Sequence, residues 1–469
     1  MKKALWSTLV LLLLTTGCSS TTQSTNQEST ETIILTFWHY YAGNVEQQLD
    51  AIVYGFNNGI GKEKGIQIET IPYGNIGLLE EELINTAENI IAVDDMPDLF
   101  LTYADTALEL YNFDVLSNID DYFTDTDKNK LVQPFLTSGR LYDIQGIIPT
   151  VKSTELILMN DTSWNAFANE TGKTYEDLST WEGLFDVAEA YYEYSDGNAF
   201  FGIDSLQNFI VIASQTLGCE IFDSHNQEAV LDEVVLQQIF DFYVSCYALG
   251  YFTQEGQFRS DDIRTANIVA FTGSSASVAY FPAWIEKNGV KSNISLKALP
   301  YPSFEGTTPY VLSQGAGIAM GKTGEDREKA SAEFIKYFLD YNVEFAINTA
   351  YIPTIQSFFD LSLDEYEKCL TEHNITSSSE QEVYHLVMEQ INQELTYQPD
   401  AFIGSYDVRI QLKVAFQQAA EQLRVQVDLL REEGMQSSEI VKHLNLDEQF
   451  QQTMTVLRQS FDEQYIPYR

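Results

Sequence analysis

The sequence predicts an α/β protein with two lobes and a helical C-terminal part. Strand-like and helix-like segments alternate after residue 32, which is typical of sheets with parallel strands and right-handed crossovers. The chain has 469 residues, more than one hydrophobic core normally holds, so two lobes are expected. From residue 326 onward, apolar residues recur mainly at helical spacing.

Residues 1–18 have the composition of a secretory signal peptide. Two lysines precede the apolar run Ala4–Leu14, which is too short for a membrane span, and small residues lead to Cys18. This ending resembles a bacterial lipobox and implies lipidation of Cys18 after cleavage, although Thr15 stands where lipoboxes usually carry leucine. Residues 19–32 are polar and low in complexity, as expected of a flexible tether.

The next segments build the expected first lobe, and the residues after its strands are candidate binding residues. Ligands of such sheets bind beyond the carboxyl ends of the strands. The predicted elements are strand Ile33–Trp38, helix Val45–Asn58 with Asn44 as its cap, strand Ile66–Ile71, helix Leu78–Ile91 and strand Leu99–Tyr103. The candidates are Trp38, His39, Tyr40, Tyr103 and Asp105. A lone aromatic residue after a strand usually packs in the core, but the run of aromatic rings from residue 38 favours a site.

The stretch Leu141–Asn160 combines apolar runs with a polar segment. Ile144–Ile148 and Leu156–Met159 are short enough for strands, and Pro149 lies between them. Proline cannot donate a backbone hydrogen bond and biases the preceding residue toward extended geometry, so the chain should cross between lobes here rather than form a helix. The polar groups of Thr150–Glu155 need partners in the protein or in a ligand. The candidate binding residues here are Ser153, Thr154 and Glu155.

A second α/β unit is expected between residues 179 and 299. Its first helix is predicted to start at a capping box of Ser179 and Glu182. The later elements are strand Phe200–Ile203, the apolar run Phe209–Ala213, helix Leu231–Leu249, the short helix Thr265–Phe271, and the strands Ser275–Tyr280 and Ser292–Leu299. An aromatic turn that contains Phe281 and Trp284 could contact a ligand or pack within the protein.

The remainder is predicted to be helical after a glycine-containing segment. Gly315 permits close backbone approach, either to give an amide to a ligand or to let the lobes pack. The predicted helices are Asp326–Asp340, Asn342–Ala350, Asp407–Glu433 and one capped by Ser437 or Ser438.

Composition excludes several classes of partner. The chain has 69 acidic and 26 basic residues, and the formal net charge of −43 repels nucleic acid and anionic lipid. The histidines show no metal-ligand spacing and no Cys-x-x-Cys occurs, so no metal and no cofactor is expected. Cys219 and Cys246 could form a disulfide or remain free buried thiols.

The order of features resembles the extracellular solute-binding proteins of ABC importers, a family that includes maltose-binding and glycerol-3-phosphate-binding proteins. The resembling segments are LTFWHYY, MPDLFLTY, PTVKSTELILMND, STWEGLFDVAEAYY, LSQGAGIAM, ASAEFIKYFL and TAYIPTI. Each motif is loose, and their order is the specific feature. The likeness is greatest to the glycerol-3-phosphate-binding branch, at Phe37, Trp38, His39, Ser153, Thr154, Tyr351 and Arg409.

The resemblance implies a type II periplasmic-binding-protein-like fold, whose two lobes close on a ligand about a hinge. Lobe 1 would comprise residues 33–150 and 298–340, and lobe 2 residues 151–297 and 341–469. The chain would therefore return to lobe 1 near Ala298–Pro302. The resemblance also implies a monomeric receptor without catalytic activity, lipid-anchored at the extracellular face of the bacterial cell membrane, which hands its ligand to ABC permease membrane subunits.

Some site residues match the family and others depart from it. The matches are the hydroxyl pair Ser153 and Thr154, the ligand-facing Tyr351, and Arg409, which matches a phosphate-binding arginine after a shift of one residue. Ile76 and Gly77 stand where the branch has a tyrosine and a glutamate, and Glu155 replaces an uncharged residue. A carboxylate repels phosphate but accepts hydrogen bonds from sugar hydroxyls.

The expected ligand is therefore a carbohydrate. Glycerol-3-phosphate or a glycerophosphodiester is the alternative within the same fold. A surface glycoside hydrolase is the alternative from another class, with Asp105 and Glu155 as its two carboxylates. A sensor lipoprotein that presents its ligand to a membrane kinase is a third alternative.

Overall fold

The structure is a computed structural model that describes residues 32–88, 95–287, 289–392, 396–435 and 437–469. The expected signal peptide, including Cys18, and the tether up to residue 31 lie outside these residues. Two central sheets, each covered by helices, form two lobes. This architecture confirms the predicted α/β class.

The first sheet is mixed and buried between helices. Its strands, in spatial order, are Ile66–Pro72, Ile33–His39, Leu99–Thr102, Gly317–Met320 and Ile147–Pro149. The three strands nearest the N-terminus run parallel, whereas Gly317–Met320 is antiparallel to both of its neighbours. The helices of this lobe are Gly43–Asn58, Ile60–Lys64, Ile76–Ala87, Ala104–Asn112, Asp125–Lys128, Gln133–Thr137, Glu325–Asp340 and Asn342–Asn348. All residues of Leu99–Thr102 are buried, as expected where helices cover both faces of a sheet.

The second sheet forms the core of the other lobe. Its strands, in spatial order, are Leu296–Pro300, Glu155–Asn160, Ala270–Ser274 and Phe201–Ile203. The helices between these strands are Asp161–Thr171, Trp181–Tyr194, Leu206–Thr216, Glu233–Ala248 and Arg259–Arg264. Aromatic side chains dominate the packing, and the rings of Trp181 and Phe209 meet edge to face with centroids 4.8 Å apart.

The C-terminal part consists mainly of helices. They are Gln356–Phe359, Leu363–Glu372, Ser378–Asn392, Ser405–Glu432, Ser437–His443 and Leu446–Glu463. Phe358, Tyr366 and Leu370 of the first two helices pack in a separate cluster with Ile347, whereas Ser405–Glu432 and Leu446–Glu463 pack on the second lobe. The long helix Ser405–Glu432 buries Val408, Leu412, Phe416 and Leu423 in the second lobe's core, together with residues of helix Glu233–Ala248. In the described part of the chain, no helix has both the length and the apolar character needed to cross a membrane.

Short strand pairs and 3-10 helices complete the fold. The strand pairs are Arg140–Leu141 with Ile144–Gln145, Val151–Lys152 with Ile352–Pro353, Phe222–Asp223 with Glu228–Ala229, Trp284–Lys287 with Val290–Asn293, and Val311–Leu312 with Thr396–Tyr397. The 3-10 helices are Ile119–Asp121, Tyr175–Leu178 and Ser275–Tyr280.

Three segments, which we call the hinge, connect the sheets and bond to one another. They are residues 150–154, 313–316 and 349–354. The backbones of Ser153 and Gln314 exchange two hydrogen bonds, of 2.7 and 3.0 Å. The Asn342 amide donates to the carbonyl of Thr150 and accepts from the backbone N–H of Thr354 at 2.9 Å. Much of the hydrogen-bonding capacity of the crossing after Pro149 is therefore used within the protein.

Several predicted elements are wrong. The sequence predicts a helix at residues 265–271, but Arg259–Arg264 is the helix and Ala270–Ser274 is a strand between two others. Periodicity cannot separate a short buried strand from a buried helical turn. The expected strand Ser275–Tyr280 is a 3-10 helix, because the Ser274 side chain accepts from the N–H of Ala276 and starts a turn.

Two predicted caps and one predicted boundary also differ. Thr180, not Ser179, caps its helix by accepting from the N–H of Gly183. Asn44 lies inside helix Gly43–Asn58 and donates to the carbonyl of Asn348 instead of capping. The expected return near Ala298–Pro302 lies too early, because Leu296–Pro300 pairs with Glu155–Asn160 in the second sheet. The predicted helix Leu78–Ile91 begins earlier, at Ile76, and ends at Ala87 with Glu88 as its C-cap, whereas residues 89–94 lie outside the described residues.

The cysteines within the described residues are unpaired. Cys219 and Cys246 are both buried free thiols, so the predicted alternative of a disulfide between them is wrong. Burial raises the pKa of both thiols. Protonated thiols of this kind act as small apolar groups in the core.

Candidate functional site

A polar network around Arg409 joins the two lobes. Arg409 belongs to the long helix of the second lobe, and its Nη1 donates to Asp105 Oδ2 at 2.7 Å. Asp105 lies in the first turn of helix Ala104–Asn112 in the first lobe, where the helix dipole favours a carboxylate. Arg409 Nη2 donates to Asn208 Oδ1 at 3.4 Å within the second lobe. Burial lowers the pKa of Arg409, but the neighbouring carboxylates outweigh burial and raise it.

Glu155 extends this network to the hinge. Its side chain is buried at the start of strand Glu155–Asn160, and Oε1 accepts from Asn208 Nδ2 at 2.9 Å and from Gln314 Nε2 at 3.0 Å. Asn208 Nδ2 also donates to Gln314 Oε1 at 2.8 Å. Burial raises the pKa of Glu155 to about 7, although the two amide donors favour the ionised form. This carboxyl group can therefore change its charge near neutral pH.

Tyrosines surround the network. Burial raises the pKa of Tyr40 and Tyr103, and raises that of Tyr351 to about 12, so all three phenols stay protonated at neutral pH. The three hydroxyl groups are close enough to influence one another, because Tyr103 and Tyr351 further raise the pKa of Tyr40. Tyr280 of the second lobe also lies near Tyr351 and donates to the carbonyl of Ala42 at 3.5 Å.

Glu80 is a member of this cluster that was not among the predicted candidates. It lies on helix Ile76–Ala87, is 5% exposed, and its Oε1 has no hydrogen-bond partner among the described residues. Burial and the charge of Asp105 raise the pKa of Glu80, whereas Arg409 lowers it. The available signal was its position on the inward face of the helix, three residues before the buried Leu83. Asn208 and Gln314 were missed as well. Gln314 directly precedes the candidate Gly315 in the segment LSQGAGIAM, whereas the residues around Asn208 carried no such signal.

Trp38 and His39 were predicted to contact a ligand but lie in the core of the first lobe. Both side chains are 1% exposed, and the Trp38 ring packs against Tyr73 with centroids 5.0 Å apart. Burial lowers the pKa of His39 to about 4, so its imidazole is neutral. Neither residue joins the polar network, and their contact with a ligand stays a prediction.

Phe281 and Trp284 also lie outside the network. The ring of Phe281 stacks on that of Phe271, with centroids 6.4 Å apart. Trp284 belongs to a hairpin, where the Lys291 ammonium lies 3.7 Å from its ring centroid. Both contacts are packing interactions within the second lobe.

Gly315, Ser153 and Thr154 belong to the hinge. A Cβ atom at Gly315 would lie 2.3 Å from the carbonyl oxygen of Val151, so this glycine allows two hinge segments to touch. Ser153 and Thr154 are buried, and Thr154 Oγ1 has no hydrogen-bond partner among the described residues. The predicted candidates that converge on the network are thus Tyr40, Tyr103, Asp105, Glu155, Tyr351 and Arg409.

The site offers hydrogen-bonding groups and aromatic faces rather than metal ligands. Within the described residues, no three histidine, cysteine, aspartate or glutamate side chains converge as ligands for a metal ion. The cluster contains one guanidinium, several carboxyl groups, two amides and several phenols, and both lobes contribute to it. Such a set can hold a polar organic molecule between the lobes.

Several solved structures have a similar fold over most of this chain. The cyclic α-maltosyl-1,6-maltose binding protein from Arthrobacter globiformis has a TM-score of 0.63 at 15% identity, over 91% of this chain and 98% of that chain. UgpB from Mycobacterium tuberculosis, solved with glycerophosphocholine, has a TM-score of 0.63 at 16% identity, over 90% and 98%. Lmo0181 from Listeria monocytogenes, solved with cycloalternan, has a TM-score of 0.65 at 13% identity, over 91% and 100%. At these identities the likeness shows a shared fold.

Sequence comparison identifies the family directly. No curated protein sequence matches the chain. The family model of bacterial extracellular solute-binding proteins matches residues 56–368, which include both central sheets apart from the first strand, together with the whole hinge. The resemblance inferred from motif order is therefore confirmed. The chain belongs to the bacterial extracellular solute-binding proteins.

Proposed function

We propose that this protein captures a neutral carbohydrate between its lobes and delivers it to the membrane subunits of an ABC importer. The observation that carries the proposal is the composition of the network between the lobes, in which three carboxyl groups accompany one guanidinium among tyrosines. Carboxylates and amides bond to sugar hydroxyls, and phenol rings pack against the apolar face of a sugar ring. One protein of similar fold binds cyclic α-maltosyl-1,6-maltose, and another was solved with cycloalternan.

Charge favours a neutral ligand over a phosphate. The guanidinium of Arg409 is already offset by Asp105 at 2.7 Å, and the carboxyl groups of Glu80 and Glu155 remain. Among the described residues, an anion in this cleft would therefore meet no unpaired cation, and the ionised fraction of these carboxyl groups would repel it at low local dielectric. A sugar introduces no charge, and its hydroxyl groups can donate hydrogen bonds to these groups and accept hydrogen bonds from them.

A glycerophosphodiester is the second candidate ligand. Arg409 is a mostly buried cation in the cleft, and UgpB, a protein of similar fold, was solved with glycerophosphocholine. For this ligand to bind, Asp105 would have to release Arg409 to the phosphate. The two proposals therefore differ in whether the Asp105–Arg409 ion pair survives binding.

The enzyme alternative rests on Glu155 and Asp105. A glycoside hydrolase needs one carboxyl group with a raised pKa and one ionised carboxylate, and burial gives Glu155 a pKa of about 7 while Asp105 pairs with Arg409. We propose that these groups bind ligand without catalysis, because the chain belongs to a family of binding proteins.

Calorimetry against a panel of carbohydrates and glycerophosphodiesters, with an assay for new reducing ends, tests the function. We expect saturable binding of a neutral sugar without release of product. Asn208→Ala removes the amide that joins Arg409, Glu155 and Gln314, and we expect about tenfold weaker binding. Asn58→Ala is the control, because that exposed amide bonds only to its own helix at Tyr54. Product release, or binding of glycerophosphodiesters alone, would contradict the proposal.

The lipid anchor and the monomeric state are part of the same proposal. Cys18 would carry the lipid and residues 19–32 would tether the lobes to the extracellular face of the cell membrane. We expect Cys18→Ser to move the protein from the membrane fraction to the medium. Retention of that variant in membranes would contradict the anchor. Light scattering of the soluble variant should give the mass of one chain.

A further inference from the structure

Two hairpin tips, one from each lobe, touch outside the hinge and the polar network. At these tips, the Tyr142 hydroxyl of the first lobe donates to Gln227 Oε1 of the second lobe at 2.8 Å. We call this hydrogen bond the latch, because it joins the two lobes directly. The two hairpins are Arg140–Leu141 with Ile144–Gln145, and Phe222–Asp223 with Glu228–Ala229.

The turn that carries Gln227 is held by its own side chains. Gln227 has a φ of 57°, which non-glycine residues adopt rarely. Its Nε2 donates to the carbonyl of Ser224, which leaves Oε1 to accept from Tyr142. Asp223 accepts from the backbone N–H of Asn226 at 2.9 Å and from the side-chain amide of Asn226 at 2.8 Å. The position of Gln227 therefore depends on how firmly Asp223 is held.

The segment Ile466–Arg469, which we call the strap, lies parallel to one strand of this hairpin. The backbone N–H of Ala229 donates to the carbonyl of Pro467 at 2.8 Å, and the N–H of Arg469 donates to the carbonyl of Ala229 at 2.9 Å. Ile466 is 5% exposed and packs in the core of the second lobe. The strap is thus anchored in the core at one end and bonded to the hairpin at the other.

The Arg469 side chain connects the strap to both strands of the hairpin. Its Nη2 donates to Asp223 Oδ2 at 2.8 Å, and its Nη1 lies 3.3 Å from Glu228 Oε1. Asp223 Oδ2 is also the atom that accepts from the Asn226 side chain. The side chains of Asp223 and Glu228 are only 17% and 23% exposed, so solvent and salt screen these contacts less than those of a fully exposed pair.

We propose that Arg469 is a positioning residue for the latch. The strap holds Asp223, Asp223 holds the turn, and the turn presents Gln227 to Tyr142 of the first lobe. Loss of the Arg469 contacts therefore weakens the latch and lets the two hairpin tips separate more often. The inference concerns the separation of the lobes and does not depend on which ligand the protein binds.

The turn also has a second anchor, which limits the size of the effect. The Ser224 hydroxyl donates to Asp400 Oδ2 at 2.7 Å. Loss of Arg469 should therefore loosen the turn without unfolding it.

Hydrogen–deuterium exchange of the ligand-free protein tests whether the effect passes from one lobe to the other. Arg469→Gln should increase exchange about threefold in residues 224–229, and also in residues 140–145, which belong to the first lobe. Tyr142→Phe removes only the hydroxyl group and should increase exchange in residues 140–145 by a similar factor. In those residues the double variant should exchange no faster than Tyr142→Phe, since both changes break the same bond.

Arg458→Gln is the matched control. Arg458 forms a partly exposed ion pair with Glu233 within the second lobe and lies outside the strap, so its loss should leave exchange in both hairpins unchanged. Faster exchange of Arg469→Gln in residues 224–229 alone would overturn the inference, because the strap would then stabilise only its own lobe. Additive effects of the two substitutions in residues 140–145, or no effect of Arg469→Gln on either hairpin, would also overturn it. None of these results depends on sugar binding, so the proposed function stands or falls separately.

Discussion

Glu155 connects the hinge to the polar network, and its buried carboxyl group makes stability depend on pH. The pKa is raised by burial from 4.5 to about 7 in the folded protein. The folded state therefore holds this proton more tightly than the unfolded state does. Its contribution to stability is complete below pH 4.5 and is lost as the pH rises through about 7.

We expect Glu155→Gln to remove this pH dependence. Between pH 5 and pH 8, wild-type protein should lose up to about 3 kcal/mol of unfolding free energy relative to the variant. Urea denaturation of both proteins at several pH values measures the difference, and other titrating groups cancel in it. Parallel pH profiles would show that Glu155 is not a buried acid with a raised pKa.

At the residue scale, the sequence shows which chemical group a residue carries, but not whether its side chain reaches the polar network or packs in the core. Tyr40 and Asp105 were candidates because they lie just after strands, and Arg409 was a candidate because it matches a position of the family. All three residues lie in the polar network. Trp38 belongs to the same run of rings as Tyr40, but it lies within the strand Ile33–His39 and packs in the core, whereas Tyr40 follows the end of that strand. Glu80 was missed because a carboxylate on a helix is normally solvated.

At the scale of elements, the hinge depends on close contact between backbone segments. Gly315 has a φ of 142°, and a Cβ atom there would lie 2.3 Å from the carbonyl oxygen of Val151. We expect Gly315→Ala to cost about 2–4 kcal/mol, since backbone must shift in two hinge segments. Gly172→Ala is the control, with a φ of 76° but no atom within 4 Å, and should cost only about 1–2 kcal/mol for its conformation. Chemical denaturation of both variants tests this, and equal losses would contradict the steric explanation.

Long amphipathic helices and strands flanked by turns were predictable, whereas short elements were not. Helix Ser405–Glu432 carries a stripe of apolar residues over many turns, so its pattern is unambiguous. The prediction for the strand Ala270–Ser274 was wrong, because its hydrogen bonds go to strands distant in sequence. The local sequence pattern gives no information on those partner strands, and a five-residue apolar run fits both a strand and a short helix.

At the scale of the whole molecule, length and alternation predicted two lobes, but not which strand joins which sheet. Leu296–Pro300 was assigned in part to the first lobe and instead pairs with Glu155–Asn160. Gly317–Met320 is the strand that returns to the first sheet, between Leu99–Thr102 and Ile147–Pro149. These pairings depend on contacts between residues far apart in sequence, so no local sequence signal shows where the chain returns to the first sheet.

The ion pair of Asp105 and Arg409 links the two lobes, and we expect it to control how far the ligand-free protein opens. In Arg409→Gln, the carboxyl groups of Asp105 and Glu80 lose their common cation and would remain buried without compensation. Leaving a charge buried and unpaired costs about 3–5 kcal/mol, which opening of the lobes relieves by hydrating the carboxylates. The variant should therefore show a larger radius of gyration than wild type in small-angle X-ray scattering without ligand.

Two further variants decide whether charge causes the opening. Asp105→Asn combined with Arg409→Gln removes both members of the pair, so it should open the lobes less than Arg409→Gln alone. Lys64→Gln breaks an exposed ion pair with Glu333 inside the first lobe, where such pairs contribute about 0–1 kcal/mol, and should leave the radius unchanged. An unchanged radius in Arg409→Gln would mean that other contacts between the lobes, such as the hydrogen bond of Tyr142 with Gln227, keep the lobes together.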